Sequence, residues 1–179
     1  MPVRADKVPS DSHRRAVIWL IPILLTLHNA EEAVAFRHYL PRAQLLLPAP
    51  FASFESRLSY AAIVQALVVL SVGAFILAAM ASRNSHSRRL VWCLLALQAA
   101  VGVNVLAHIV SAALLFRGYG PGLITALAIN APFTGYCILR ASRGQWVTPA
   151  ALRATVPAAL VLHGPVLLGG LWLAAVLMR

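Results

Sequence analysis

Five long apolar runs constrain the fold of this 179-residue chain more than any other feature of its sequence. A helix that crosses the hydrocarbon core of a bilayer needs roughly 20 predominantly apolar residues. The runs cover approximately residues 16–36, 59–81, 90–116, 121–139 and 155–178. Charged residues make up only 11% of the chain, whereas a soluble domain contains about 25%. The sequence therefore predicts an all-α integral membrane bundle of about five transmembrane helices.

The remaining segments are too short for a second folded domain. Residues 1–15 are polar and rich in basic residues and proline, a composition that cannot build a core. We expect a disordered cytoplasmic tail over 1–15 and a single transmembrane domain over 16–179. The two cysteines, Cys93 and Cys137, have neither metal-ligand nor redox spacing, so no thiolate site or disulfide framework is predicted.

The basic residues indicate the orientation of the chain in the membrane. The net charge is +10, but Lys and Arg flank the apolar runs and form no aromatic-interleaved basic face, which argues against a nucleic-acid partner. Segments on the side of the N-terminus contain ten of the 15 basic residues, and those on the opposite side contain five. Because cytoplasmic loops are enriched in Lys and Arg, the N-terminus is predicted to be cytoplasmic and the C-terminus outside. A multi-pass protein of the plasma membrane or a bacterial inner membrane is expected.

A polar cluster interrupts the first apolar run. His28, Glu31 and Glu32 are spaced three or four residues apart, so all three point broadly to one side of a helix. Glu31 and Glu32 diverge by about 100°, and the spacing leaves open which one faces a site. An acidic side chain near the middle of a membrane helix costs roughly 3 kcal/mol. These carboxylates should therefore lie near the outer end of the helix, face the bundle, or be neutralised by partners or protons.

The third run carries a stripe of small and polar residues that recurs every four positions and permits close helix packing. The stripe comprises Ala96, Ala100, Asn104, His108 and Ala112. In the predicted topology His28 and His108 lie at one level, about 12 Å from the outer end of their helices. Thr125 and Asn130, on the fourth run, belong to the same outer half. His163, on the fifth, is predicted to lie deeper and is the weaker candidate.

Three motifs in order resemble one family. His28-Asn29-Ala30-Glu31-Glu32, then Asn104-x-x-x-His108, then Tyr119-x-Pro121-Gly122, are similar to the HXXEE family of small membrane proteins, over a segment from about Leu24 to Asn130. The resemblance supports the polar positions as a group. It implies no particular reaction.

The side chains point to a membrane-embedded enzyme acting on a lipid-soluble substrate of the isoprenoid or sterol type. Two imidazoles and a carboxylate suit a divalent metal, zinc or iron, so the predicted metal ligands are His28, Glu32 and His108. The predicted catalytic residues are Glu31, Glu32, Asn104 and Tyr119, and the predicted substrate-binding residues are Thr125 and Asn130. A metal-free version would instead use a protonated glutamate as the acid and a histidine as the base.

Two other classes of function stay open at this point. Intramembrane His and Glu residues also serve proton-coupled transporters, although no inverted repeat is visible here. A structural or accessory protein could use the same polar cluster only to hold helices together. The sequence predicts a lipid or lipid-soluble small molecule and the membrane as partners, and it leaves the oligomeric state open.

Overall fold

The computed structural model describes residues 11–46, 59–84 and 87–177, and within these residues it contains five long helices and no strand. The helices are α1 (Asp11–Leu46), α2 (Tyr60–Arg83), α3 (Arg88–Phe116), α4 (Leu123–Arg143) and α5 (Pro149–Leu177). Each contains a stretch long and apolar enough to cross a membrane. The prediction of an all-α bundle with five transmembrane helices is confirmed.

The first helix is much longer than its apolar run. It begins at Asp11 and ends at Leu46, so the predicted disordered tail is wrong for residues 11–15, and residues 1–10 lie outside the described part of the chain. No glycine or proline interrupts 11–15, and His13 Nε2 lies 3.0 Å from the Tyr136 hydroxyl of α4. Helix formation therefore continues beyond the apolar run. At 36 residues, α1 is about 54 Å long, well over the ~30 Å hydrocarbon core of a bilayer.

Side-chain caps fix the starts of α2, α3 and α5. Ser59, Ser87 and Thr148 each accept a hydrogen bond from the backbone N–H three residues later, which satisfies a donor that has no partner within the helix. Pro149 follows Thr148, and proline at the first position of a helix loses no hydrogen bond. As a result α5 begins six residues before the predicted start at Thr155.

The apolar core occupies one end of the bundle, which we call the core end. It is built from the first turns of α1 and α3, the last turns of α2 and α4, and the α4–α5 connection; its most buried members include Val17, Ile21, Ala81, Leu94, Leu95, Cys137, Ala141 and Trp146. Helix α3 is central and packs against the other four. The opposite end carries the connection Arg117–Gly122 between α3 and α4, and we call it the turn end.

Three helices widen locally into π-helical turns at Ala112–Phe116, Ala126–Asn130 and Leu162–Val166. Pro132 follows the second of these turns and Pro165 lies within the third. Proline has no N–H and its ring clashes with the carbonyl four residues earlier, and a wider turn relieves this conflict. Such turns are frequent at functional sites. Here they lie in the parts of α3, α4 and α5 that are nearest the polar residues.

Candidate functional site

Two histidines and one glutamate converge between α1 and α3. His28 and Glu32 are one turn apart on α1, and His108 comes from α3. The Nε2 atoms of the two imidazoles are 3.2 Å apart. The carboxylate oxygens of Glu32 lie 3.3 Å from His108 Nε2 and 4.0 Å from His28 Nε2. All three residues are buried. We refer to them as the His/Glu cluster.

The spacing of these donor atoms fits one metal ion. Nitrogen and oxygen ligands lie about 2.0–2.2 Å from zinc, so two ligands of a tetrahedral ion are about 3.4 Å apart. The candidate donor atoms of His28, Glu32 and His108 all lie within 4.8 Å of one another. Two sides of the triangle, at 3.2 and 3.3 Å, are close to the ideal spacing. A small rotation of the Glu32 carboxylate would shorten the third.

Hydrogen bonds from Asn104 indicate which ring nitrogens are unprotonated. Its Nδ2 lies 2.9 Å from His28 Nε2 and 2.9 Å from His108 Nε2. An amide nitrogen has two hydrogens and accepts none, so this arrangement matches the tautomers in which each histidine has its proton on Nδ1 and Nε2 accepts. Two acceptor nitrogens 3.2 Å apart, beside a carboxylate, repel one another unless a cation or a proton lies between them. The arrangement is typical of a set of metal ligands.

The other nitrogen of each imidazole is held by an oxygen. His28 Nδ1 lies 2.7 Å from Thr125 Oγ1, and the Thr125 hydroxyl is directed at the Gly122 carbonyl at 3.4 Å, so the ring donates to the hydroxyl oxygen. The His108 ring hydrogen-bonds to the backbone of Pro121, which offers only a carbonyl. Metal-binding histidines almost always donate their second ring N–H in this way, which fixes the tautomer and the orientation of the ring.

Gly122 closes the His/Glu cluster on the side of the turn. Its φ of +78° lies in the left-handed region, and a Cβ at this position would come within 2.8 Å of carbon atoms in His28, Glu32 and His108. A side chain would therefore collide with all three residues and would also strain the backbone. The turn contributes to the site through this close approach of its backbone.

Glu31 points away from the His/Glu cluster and binds the start of α4. Its carboxylate accepts hydrogen bonds from Tyr119 Oη at 2.8 Å, Ile124 N at 3.1 Å and Thr125 N at 2.7 Å. The first backbone N–H groups of a helix have no partner within it and favour an anion. Of the two adjacent glutamates, Glu32 belongs to the His/Glu cluster and Glu31 joins α1 to α4.

Tyr119 connects Glu31 to an aromatic group above the turn. Partial burial and the hydrogen bond to Glu31 raise the pKa of Tyr119 above its ordinary value, so its phenol remains a neutral donor at physiological pH. The Tyr39 ring contacts Phe116 and Tyr119 edge to face, with centroid separations of 5.6 and 5.7 Å. These three rings therefore pack together beside the α3–α4 connection.

An apolar cavity of about 510 Å³ leads to the site from between α1, α2, α3 and α5. Within the described part of the chain, its lining contains no Lys or Arg and is mostly aliphatic. The polar side chains on its wall are Asn29, Glu32, Gln65, Asn104 and His163. Glu32 and Asn104 belong to the cavity wall and also contact the histidines. His28 and His108 lie directly behind them and do not line the cavity themselves.

The structure brings together most of the residues singled out in the sequence. His28, Glu32, Asn104 and His108 are in direct contact, and Thr125 touches His28. Thr125 and Asn130, the predicted substrate-binding residues, do not line the cavity, which therefore gives that role no support. Asn130 is buried in α4 with neither amide atom hydrogen-bonded.

Sequence reasoning missed three features of the site. Gln65 lies on the second apolar run, from which no candidate residue was predicted, although a polar residue in an otherwise apolar membrane span was a usable signal. His163 was ranked low for its depth but shares the cavity with Asn104. Asn29, within the His-x-x-Glu-Glu motif, binds α2 through the Leu67 carbonyl at 3.1 Å and the Ser71 hydroxyl at 2.9 Å.

Fold and site together define a class: small polytopic α-helical membrane proteins whose first span carries a buried His-x-x-Glu-Glu motif facing a histidine of the third. The chain belongs to the HXXEE family, described as proteins of unknown function with an HXXEE motif, whose model matches residues 19–137. No curated protein and no solved structure matches the chain. Helix α5, with His163, lies outside the matched segment.

Proposed function

We propose that this protein is a membrane-embedded, metal-dependent enzyme that acts on a lipid-soluble substrate of the isoprenoid or sterol type. One observation carries the proposal: three donor atoms, His28 Nε2, His108 Nε2 and a Glu32 carboxylate oxygen, converge, and Glu32 also forms part of the wall of an apolar cavity. A buried polar cluster that served only helix packing would have no need of an adjoining cavity of this size. The volume of about 510 Å³ falls in the range of small-molecule sites.

The donor set suits zinc or iron. Three protein ligands with an open position are characteristic of catalytic zinc sites, and two histidines with one carboxylate also form the usual ligand set of non-haem Fe(II) oxygenases. Either metal would supply Lewis-acid or redox chemistry to a substrate oxygen at the cavity wall. In both cases His28, Glu32 and His108 hold the ion.

The remaining polar residues orient the site. Thr125 and Pro121 hold the second nitrogens of the two histidines. Asn104 lines the cavity, and with a metal held by the two imidazole nitrogens its amide N–H groups would be free to donate to a substrate oxygen. Glu31 and Tyr119 act indirectly, because they fix the turn and the start of α4 against α1.

Elemental analysis of protein extracted in a mild detergent tests the metal centre. We expect about one zinc or iron per chain, the stoichiometry of a three-ligand site. His108→Ala should remove most of this metal. His163→Ala is the matched control, because His163 lines the same cavity but is not among the three ligands; it should retain the metal.

Lipid analysis tests the enzymatic part of the proposal. Membranes containing the wild-type protein should accumulate a modified neutral lipid that is absent with His108→Ala and present with His13→Ala, because His13 contacts Tyr136 and does not line the cavity. A wild-type protein that is free of metal and equally active with or without added zinc or iron would overturn the metal-dependent mechanism. It would favour acid–base chemistry or proton transfer by the same residues.

The plasma membrane or a bacterial inner membrane is the location we propose, with the N-terminus cytoplasmic. The distribution of Lys and Arg between the two ends of the bundle supports this orientation.

A further inference from the structure

The polar groups of the cavity lie at one level. Trp92 on α3 donates to the Ala151 carbonyl on α5. Because α3 and α5 run in the same direction, equal numbers of residues beyond this contact bring Asn104 level with His163. On the opposite wall, Asn29 of α1 donates to the Leu67 carbonyl of α2. Because these two helices run in opposite directions, the next turn of α1, with Glu32, lies level with the preceding turn of α2, with Gln65.

Gln65 has an unpartnered acceptor on the cavity wall. Its Oε1 is buried and makes no hydrogen bond, and its side chain lines the cavity. Buried amide oxygens are nearly always hydrogen-bonded, because an unpaired one loses its interaction with water and gains nothing in return. The missing partner is a donor, and rotation of the side-chain amide toward the cavity would allow an O–H group of a bound molecule to supply it.

The cavity opens sideways between α2 and α5. Val69, Val166 and Leu173 line it on these two helices, and each is more than half exposed, at 63%, 54% and 51%. At the turn end the two helices are in contact through Ala62, Ala174 and Ala175. The opening therefore lies below this contact and faces the acyl chains of the bilayer.

The charged residues of the cavity wall limit which lipid headgroup it can bind. Among the described residues that form its wall, Glu32 is the only one that carries a formal charge at neutral pH with histidines neutral. Phosphate and diphosphate headgroups are recognised by Arg, Lys or several cations, none of which this wall offers from the protein. An uncharged headgroup that donates a hydrogen bond fits both the unpartnered acceptor of Gln65 and a wall without basic side chains.

We propose that the cavity binds a single uncharged lipid alcohol, which enters from the bilayer between α2 and α5. Its hydroxyl lies between Gln65 and the wall formed by Glu32 and Asn104, and its apolar body fills the aliphatic remainder. This inference rests on the proposed function, since it names the substrate class of the same site. A sterol and an isoprenoid alcohol share this chemistry.

Photolabelling with lipid probes tests the inference. The probes are diazirine analogues of cholesterol, geranylgeraniol and palmitate, the last as an anionic single-chain comparator, each added to the purified protein in bilayer nanodiscs. Labelling by one or both alcohols should map to α2 and α5 and exceed labelling by palmitate. The ratio of the two alcohol signals identifies the preferred source.

Two neighbouring glycines provide matched variants. Gly170 lines the cavity and Gly169 does not, and a Cβ at either position would meet no atom within 4 Å. Gly170→Trp should fill the cavity and reduce alcohol labelling by about tenfold, a loss of the size expected when binding is blocked. Gly169→Trp should label like the wild type.

Gln65→Leu separates recognition from folding. Replacing the unpartnered amide by an apolar side chain of similar size should raise thermal stability in detergent while reducing alcohol labelling by about tenfold, the equivalent of one lost hydrogen bond to a buried group. A structural role for Gln65 would lower stability instead. Equal labelling by palmitate, or labelling unaffected by both Gly170→Trp and Gln65→Leu, would overturn the inference. Metal content, measured on the same samples, reports separately on the proposed metal centre.

Discussion

Gly122 is the position in the turn where the backbone approaches His28, Glu32 and His108 together. Alanine at this position would carry the strain of a left-handed backbone, on the order of 1–3 kcal/mol, and its Cβ would press on the three residues at 2.8 Å. We therefore expect Gly122→Ala to lower both thermal stability and metal content, measured by thermal unfolding in detergent and by elemental analysis.

Gly73 provides the control for this substitution. It lies inside α2, has an ordinary helical backbone, and a Cβ there would meet no atom within 4 Å. Gly73→Ala should leave the metal content unchanged and increase stability by roughly 0.5–1 kcal/mol, as expected in a helix interior. If the two alanine variants behaved alike, the close approach of the turn would have no influence on the site.

At the scale of residues, helical spacing and depth were enough to pair His28 with His108 and to select Asn104. They could not decide between Glu31 and Glu32, because both lie on the same broad side of α1. The choice depends on the backbone N–H groups of Ile124 and Thr125, which attract Glu31. The position of a helix start in space does not follow from the spacing of residues along another helix.

The side-chain amide of Asn29 joins α1 to α2 by hydrogen bonds. Asn29 donates to the Leu67 carbonyl and to the Ser71 hydroxyl, and small residues such as Ala74 and Ala78 allow the two helices to pack closely. Asn29→Ala should destabilise the protein by roughly 0.5–2 kcal/mol, the range for hydrogen bonds between membrane helices. Unfolding in mixed micelles with increasing fractions of sodium dodecyl sulfate measures this change.

A double-mutant cycle with Ser71→Ala isolates the contact between the two side chains. Asn84→Ala is the control, because the Asn84 side chain is exposed and donates to the Met80 carbonyl of its own helix. Additive effects of Asn29→Ala and Ser71→Ala would show that the contact contributes nothing to stability.

At the scale of elements, the apolar runs identified all five helices but misplaced several ends. Hydropathy detects the part of a helix that lies in lipid, whereas a helix ends where its hydrogen bonding ends. The Thr148 cap extends α5 toward the core end, and α1 continues through polar residues at both of its ends. The π-helical turns were not predicted, although Pro132 and Pro165 are their visible signal in two cases.

The apolar core that stabilises the bundle and the polar site lie at different ends of the molecule. The aliphatic core lies at the core end, and the His/Glu cluster lies toward the turn end. With ten of the 15 basic residues in segments on the core side, we predict that the core end faces the cytoplasm and the turn end faces outward.

Reporter fusions test this orientation. Alkaline phosphatase, which is active only outside the cytoplasm, should be active when fused after Arg179 and inactive when inserted after Gln145, in the α4–α5 connection. Green fluorescent protein at the same two positions should show the opposite pattern. Fluorescence from the fusion after Arg179 would reverse the predicted topology and place the His/Glu cluster in the cytoplasmic half.

We place the opening of the cavity between α2 and α5, beside Val69, Val166 and Leu173. This position determines whether binding follows the ligand concentration in the membrane or in the buffer. A ligand that arrives between α2 and α5 comes from the surrounding lipid. Occupancy then follows the mole fraction of the ligand among the membrane lipids. Diluting the membranes in buffer leaves that occupancy unchanged, whereas adding inert lipid to the same bilayer lowers it.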